Sequence, residues 1–142
     1  MSIRIYYGHI KFRIRKAKEI KRFLDKVIRD EGRFPGDLLF ILTDDESVLN
    51  INKEFLKSDN YTDVIAFDNS VGYVVNGEIY ISVDTVRRNS EKFGYSVIVE
   101  TLRVMIHGVL HLCGYDDTIA SDRNKMFLKQ EILVEQIRSI LQ

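Results

Sequence analysis

The feature that most constrains this chain is the run Val97–Leu112, where ten of sixteen residues are Val, Ile, Leu or Met and only Glu100 and Arg103 are charged. Ser96 stands before it as an N-cap and Gly114 just beyond it, so the run predicts a helix with defined ends. A helix apolar around most of its circumference must be buried on nearly all sides. The rest of the chain has to supply the cover. With 142 residues, 45% of them apolar, it can do so as one domain over residues 1–142, which excludes disorder for most of it. The longest apolar stretch free of Asp, Glu, Lys and Arg is Val104–Tyr115, 12 residues, against the roughly 20 a membrane helix needs. No membrane partner is expected. No apolar h-region with a small-residue cleavage site follows Arg4, and the single cysteine, Cys113, excludes an intrachain disulfide. Both point to the cytoplasm.

Two periodicities divide the remainder. Ile3, Ile5 and Tyr7, then Ile10, Phe12 and Ile14, alternate with polar residues around Gly8, predicting one N-terminal strand or a pair. Ala17, Ile20, Leu24, Val27 and Ile28 recur at helical spacing before Gly32 and Pro35. Asp37–Thr43 predicts a buried strand, and Thr43, Asp44 or Asp45 can cap a short helix carrying Val48, Leu49 and Phe55. Thr62–Phe67 predicts a further strand. Gly72–Val75 and Glu78–Val83 flank Asn76-Gly77, the dipeptide suited to a type I′ hairpin turn. Asp84 can cap a helix ending near Gly94, and a last helix starts near Asp122 with Met126, Leu133, Ile137 and Ile140 on one side. Antiparallel strands with segregated helices predict an α+β domain, a small mixed sheet packed with helices.

Charge is uneven although the net charge is zero. Residues 1–33 hold 11 Lys/Arg against 4 Asp/Glu, and residues 34–142 hold 10 against 17. The basic residues on the first helix can form a solvated face or track an RNA backbone.

His107 and His111 lie four apart on the buried helix, so both imidazoles point the same way, one turn apart. That spacing suits one metal ion. Gly114, three residues on, can turn the chain back in the left-handed region, and Asp117, three further, can supply a third ligand. The string HxxxHxxGxxD has the metzincin layout with Asp in place of the last His. Three protein ligands leave a position open, which is the catalytic arrangement. Two satisfied core histidines are the bland alternative, outweighed by Gly114 and Asp117. The zinc-peptidase base, a Glu after the first His, is replaced by Gly108. This counts against peptide hydrolysis more than against phosphodiester cleavage.

The segment His107-Gly-Val-Leu-His111-Leu-Cys-Gly114-Tyr-Asp116-Asp117 resembles the HGxLHLxGYDH signature of the YbeY family of bacterial rRNA maturation factors. Leu49-Asn50, Thr62–Phe67, Gly77–Ile81, Met126-Phe127 and Glu131–Leu133 resemble further family segments in the same order. The resemblance implies a metal-dependent, single-strand-specific endoribonuclease with zinc as the usual metal. It also implies a role in maturing the 3′ end of small-subunit rRNA and in ribosome quality control, with the small ribosomal subunit and an Era-type GTPase as partners. A peptidase of metzincin layout and a non-catalytic assembly factor with a structural metal are the alternatives. The third ligand, His in the family, is Asp117 here, with Asp116 as the alternative ligand or a catalytic carboxylate. Leu56 stands where the family has Arg, and Lys57 beside it can substitute as a point charge toward RNA. Arg103 can approach a phosphate near the metal or pair with Glu100. Tyr6, Tyr7, Phe12, Tyr73 and Tyr80 suit core packing better than base stacking, Cys113 suits a small buried thiol, and His9 is assigned no role.

Overall fold

The computed structural model describes residues 2–58 and 61–142. Four strands and five helices follow one another along them: β1 Ile3–Tyr7, α1 Ala17–Asp30, β2 Phe34–Thr43, α2 Asp45–Leu56, β3 Val64–Asp68, β4 Val74–Ser82, α3 Val83–Phe93, α4 Val97–Leu112 and α5 Ala120–Leu141. The strands form one sheet in the order β1-β2-β4-β3. β1/β2 and β2/β4 pair in parallel, and only β3/β4 is antiparallel. The mixed sheet is therefore richer in parallel pairs than the strand pattern suggested. Parallel neighbours need a crossover of a dozen or more residues, and α1 supplies it between β1 and β2.

One face of the sheet is buried and the other only partly covered. Leu38, Phe40 and Leu42 of β2 and Val75, Ile79 and Ile81 of β4 are fully buried. α4 lies on this side, since side chains built at Gly77 and Gly108 would meet Leu112 and Ile79 respectively. α1 packs on β1 and β2, and α5 packs on α4. Burial of Ile20, Phe23, Leu24, Val27 and Ile28 anchors α1, each side chain contributing about 1.5–3 kcal/mol against exposure. Its opposite side is basic: Lys18, Arg22, Lys26 and Arg29 are exposed. Asp30 and Asp25 pair with Lys26 and Arg29 at 2.6 and 2.7 Å. On the other side α2 packs on only two of the strands, β3 and β4, its Phe55 ring edge-on to Phe67 of β3 at 5.8 Å. No α4 residue is exposed, and no single helix among the described residues is long and apolar enough to cross a membrane.

Three expectations change. The alternation from Ile10 to Ile14 is not a strand. After Tyr7 the Gly8 N–H donates to Leu42 O, and the chain then leaves the sheet. Side chains satisfy its backbone instead, the Tyr7 hydroxyl accepting from Ile14 N and Arg13 donating to the Ile10 and Phe12 carbonyls. Asn76-Gly77 is not a turn but the interior of β4. Gly77 is needed there because a Cβ would lie 2.5 Å from Phe67 O and 2.9 Å from Leu112 Cδ1. Asn76 Oδ1 accepts from Asp37 N at 2.8 Å, filling the irregularity in β2 between Pro35 and Leu38. The β3–β4 turn sits earlier, with Gly72 at φ +58° between Val71 and Val74. Finally, Ser82, not Asp84, caps α3 through Thr85 N, while Asp84 accepts from Asp45 N. Asp44 caps α2, Ser96 caps α4, and Gly94 ends α3 in the left-handed region.

Candidate metal centre

α4 ends where its apolar run ends. Cys113 N–H and Gly114 N–H still bond back into the helix, and Tyr115 N–H reaches Leu110 O at 3.0 Å. Gly114, at φ +104°, makes this reversal, which a side chain would strain. The returning segment carries Asp117 back to the helix it has just left. His107, His111 and Asp117 form the only group of metal-capable side chains found among the described residues. Asp117 Oδ2 lies 3.3 Å from His111 Nε2 and 3.7 Å from His107 Nε2, and the two Nε2 atoms are 3.1 Å apart. Donors about 2.0–2.1 Å from a tetrahedral ion stand roughly 3.3–3.4 Å from one another, so the spacing fits one ion.

The proton positions fit as well. His111 Nδ1 is 3.1 Å from the Tyr115 carbonyl oxygen, which can only accept, so Nδ1 carries the proton. His107 Nδ1 is 2.8 Å from Gln130 Oε1, likewise an acceptor. Both Nε2 atoms therefore present lone pairs to one point shared with a carboxylate. Two lone pairs and an anion facing each other are mutually repulsive without a cation between them.

The site opens into a cleft of about 750 Å³ lined by Asn52, Leu56, Tyr61, Thr62, residues of β3 and the three site residues. Its described walls hold Asp63, Asp68 and Asp117 but no lysine or arginine. Leu56 lies in the wall, whereas Lys57 caps α2 at φ +56° and is exposed outside the lining.

Two further candidates lie apart from the cleft. Arg103, weighed as a phosphate contact, is turned away: Nε and Nη2 bind Glu131 at 2.8 and 3.0 Å, Nη1 binds Glu100 at 2.8 Å, and its plane lies over Tyr95. Burial works against its charge, but the two carboxylates more than offset that and raise its pKa. Asp116 is exposed and accepts from Thr118 N at 3.0 Å. The Thr118 hydrogen bonds, backbone first, hold its carboxyl below the usual range despite a small opposing effect of burial. It faces a hollow with Cys113, Gly114, Tyr115, Asp122 and Lys125. Burial, reinforced by Glu31, pushes the Cys113 thiol up to about 11, so it is an inert core group.

Gln130 and Tyr115 are the site residues that sequence reasoning missed. The Tyr115 contact is a backbone one and leaves no side-chain trace. Gln130 does leave a signal: it is the one polar residue on the buried stripe of Met126, Leu133, Val134 and Ile137.

Comparison with known proteins agrees with this geometry. The family described as Endoribonuclease YbeY matches residues 8–138. A protein of Flavobacterium psychrophilum named Endoribonuclease YbeY is 41% identical over 122 residues, covering 86% of this chain and 87% of that one. Its namesake in Christiangramia forsetii is 36% identical over 126 residues, covering 89% and 88%. The solution structure of a Thermotoga maritima protein superposes with a TM-score of 0.68 at 31% identity, covering 98% of this chain and 91% of that one.

Proposed function

The chain belongs to the YbeY family of endoribonucleases, and from that membership and the site geometry we propose that it is a metal-dependent endoribonuclease of rRNA processing. The observation that carries the reading is the convergence of His107 Nε2, His111 Nε2 and one Asp117 oxygen, with both Nδ1 atoms committed to acceptors. When bound there, a divalent ion supplies Lewis acidity toward a phosphoryl oxygen and toward water. The chain's own residues do the rest. The imidazoles hold their lone pairs inward, Asp117 offsets part of the cationic charge, and the cleft beside β3 gives a single strand room to approach. Its described lining contains no Lys or Arg, so the chain's own residues there supply no positive side chain for a phosphate, and an ion held by His107, His111 and Asp117 would supply that charge.

Zinc fits a small site of two imidazoles and one carboxylate, and we assign it as the ion. The small ribosomal subunit and an Era-type GTPase are the proposed partners, in the cytoplasm, with the 3′ end of small-subunit rRNA as substrate. The family resemblance supports these assignments. The peptidase alternative lacks a base at position 108.

The test measures bound zinc and cleavage of single-stranded RNA for wild type and His111→Ala. Wild type should hold one equivalent and cut, and the folded variant should do neither. A wild type that holds zinc yet cuts no RNA would favour a structural ion and end the enzyme reading.

A further inference from the structure

Behind His107 lies a line of polar contacts that never reaches the cleft. Gln130 is 6% exposed among apolar side chains of α5. Its Oε1 meets His107 Nδ1 at 2.8 Å, and its Nε2 donates to Glu131 Oε2 at 3.1 Å. Glu131 is gripped by the Arg103 guanidinium through two nitrogens, and the third holds Glu100. The Arg103 side chain is only 12% exposed, and although Glu131 is 30% exposed, the two guanidinium nitrogens fix its carboxylate in place.

The direction of each bond follows from chemistry. A carboxylate only accepts, so the amide nitrogen of Gln130 must face Glu131. The amide oxygen then faces His107, and because it too only accepts, the imidazole proton must sit on Nδ1. Reversing the amide would place a donor against Nδ1, drive the proton onto Nε2 and block the atom that meets His111 and Asp117. Nothing intrinsic to glutamine chooses between these orientations. The anchored carboxylate does.

We propose that Gln130, oriented by the Arg103–Glu131 pair, is the positioning residue that holds His107 in the Nδ1–H tautomer and so keeps its Nε2 available as a ligand. The proposal rests on the reading of His107, His111 and Asp117 as a metal site, and its test separates the two. In metal-free protein labelled with ¹⁵N-histidine, at alkaline pH, long-range ¹H–¹⁵N spectra report which ring nitrogen of His107 is protonated. Wild type should show the Nδ1–H pattern. Gln130→Leu should show a mixture or the Nε2–H form, and zinc affinity by chelator competition should fall roughly 10–100-fold. Glu131→Gln, which keeps Gln130 but replaces the anchored, acceptor-only carboxylate with an amide that can present either end, should move both readouts the same way by less. It also serves if Gln130→Leu does not fold. An unchanged tautomer with wild-type zinc affinity in the folded variants would overturn the proposal. Wild type that binds no zinc while its His107 tautomer responds to both substitutions would overturn the metal reading and leave the relay standing.

Discussion

Gly108 of α4 faces Ile79 of β4 with no room between them for a side chain: a Cβ on Gly108 would come within 2.9 Å of Ile79 Cγ2. The zinc-peptidase base would stand at this position, and here it faces a strand, not the cleft. The absent Glu is thus a packing necessity of this fold. Gly108→Glu should yield no peptidase activity and should lower stability by about 2–3 kcal/mol or more, through overpacking and a buried carboxylate. Chemical denaturation and a peptide-substrate assay check it, and a stable variant that cuts peptides would reverse the argument.

The two adjacent aspartates should behave differently. Asp117→Ala removes an oxygen next to both Nε2 atoms and should reduce RNA cleavage by roughly 100-fold or more, a loss of about 2.7 kcal/mol in transition-state stabilisation. Asp116→Ala loses its hydrogen bonds with Thr118 and no contact with either imidazole, and should retain its metal. Zinc content and single-turnover cleavage of both variants give the answer. Loss of metal from the Asp116 variant alone would transfer the ligand role to it.

Leu56→Arg would place a cation in a wall that has none among its described residues. It should increase kcat/KM on single-stranded RNA several-fold at low salt. If the guanidinium meets one phosphate, the log–log salt dependence should steepen by about 0.7. A salt titration of kcat/KM measures both. An unchanged slope would mean that substrate passes elsewhere.

Acid should weaken the line behind His107. Burial raises the Glu131 pKa, but hydrogen bonds from Arg103 and Gln130 and the Arg103 charge outweigh it, so its carboxyl titrates below the ordinary 4.5. A depressed folded pKa stabilises fully above the unfolded value, and that contribution disappears as pH falls through the folded one. Wild-type stability should thus drop below about pH 4.5, and Glu131→Gln should show a shallower decline there. Denaturant midpoints measured from pH 7 down to 3 compare the slopes.

The most legible parts of the sequence were those whose spacing is local. His107 and His111 share a face by helical period alone, Gly114 marks the reversal, and Ser96, Asp44 and Gly94 mark ends that the structure keeps. Asn76-Gly77 misled because its requirement is tertiary: Gly77 yields space to Leu112 and Phe67, and Asn76 serves the backbone of β2. Gly77→Ala should therefore cost about 1–3 kcal/mol by thermal or chemical unfolding, where a turn glycine with positive φ would report backbone strain. The contact of Gln130 with His107 was hidden for a related reason. It spans 23 positions and exists only once α5 docks on α4.

The basic side of α1 accompanies β1 and β2, whereas the cleft lies beyond β3 at the opposite margin of the sheet. Three strand spacings separate those margins, roughly 14 Å. A dinucleotide seated at the cleft should engage fewer of the α1 lysines and arginines than a longer strand, and its turnover should depend less on ionic strength. A longer oligonucleotide draped across the protein would engage both, so salt sensitivity should rise past a threshold in substrate length, and that threshold would measure the footprint.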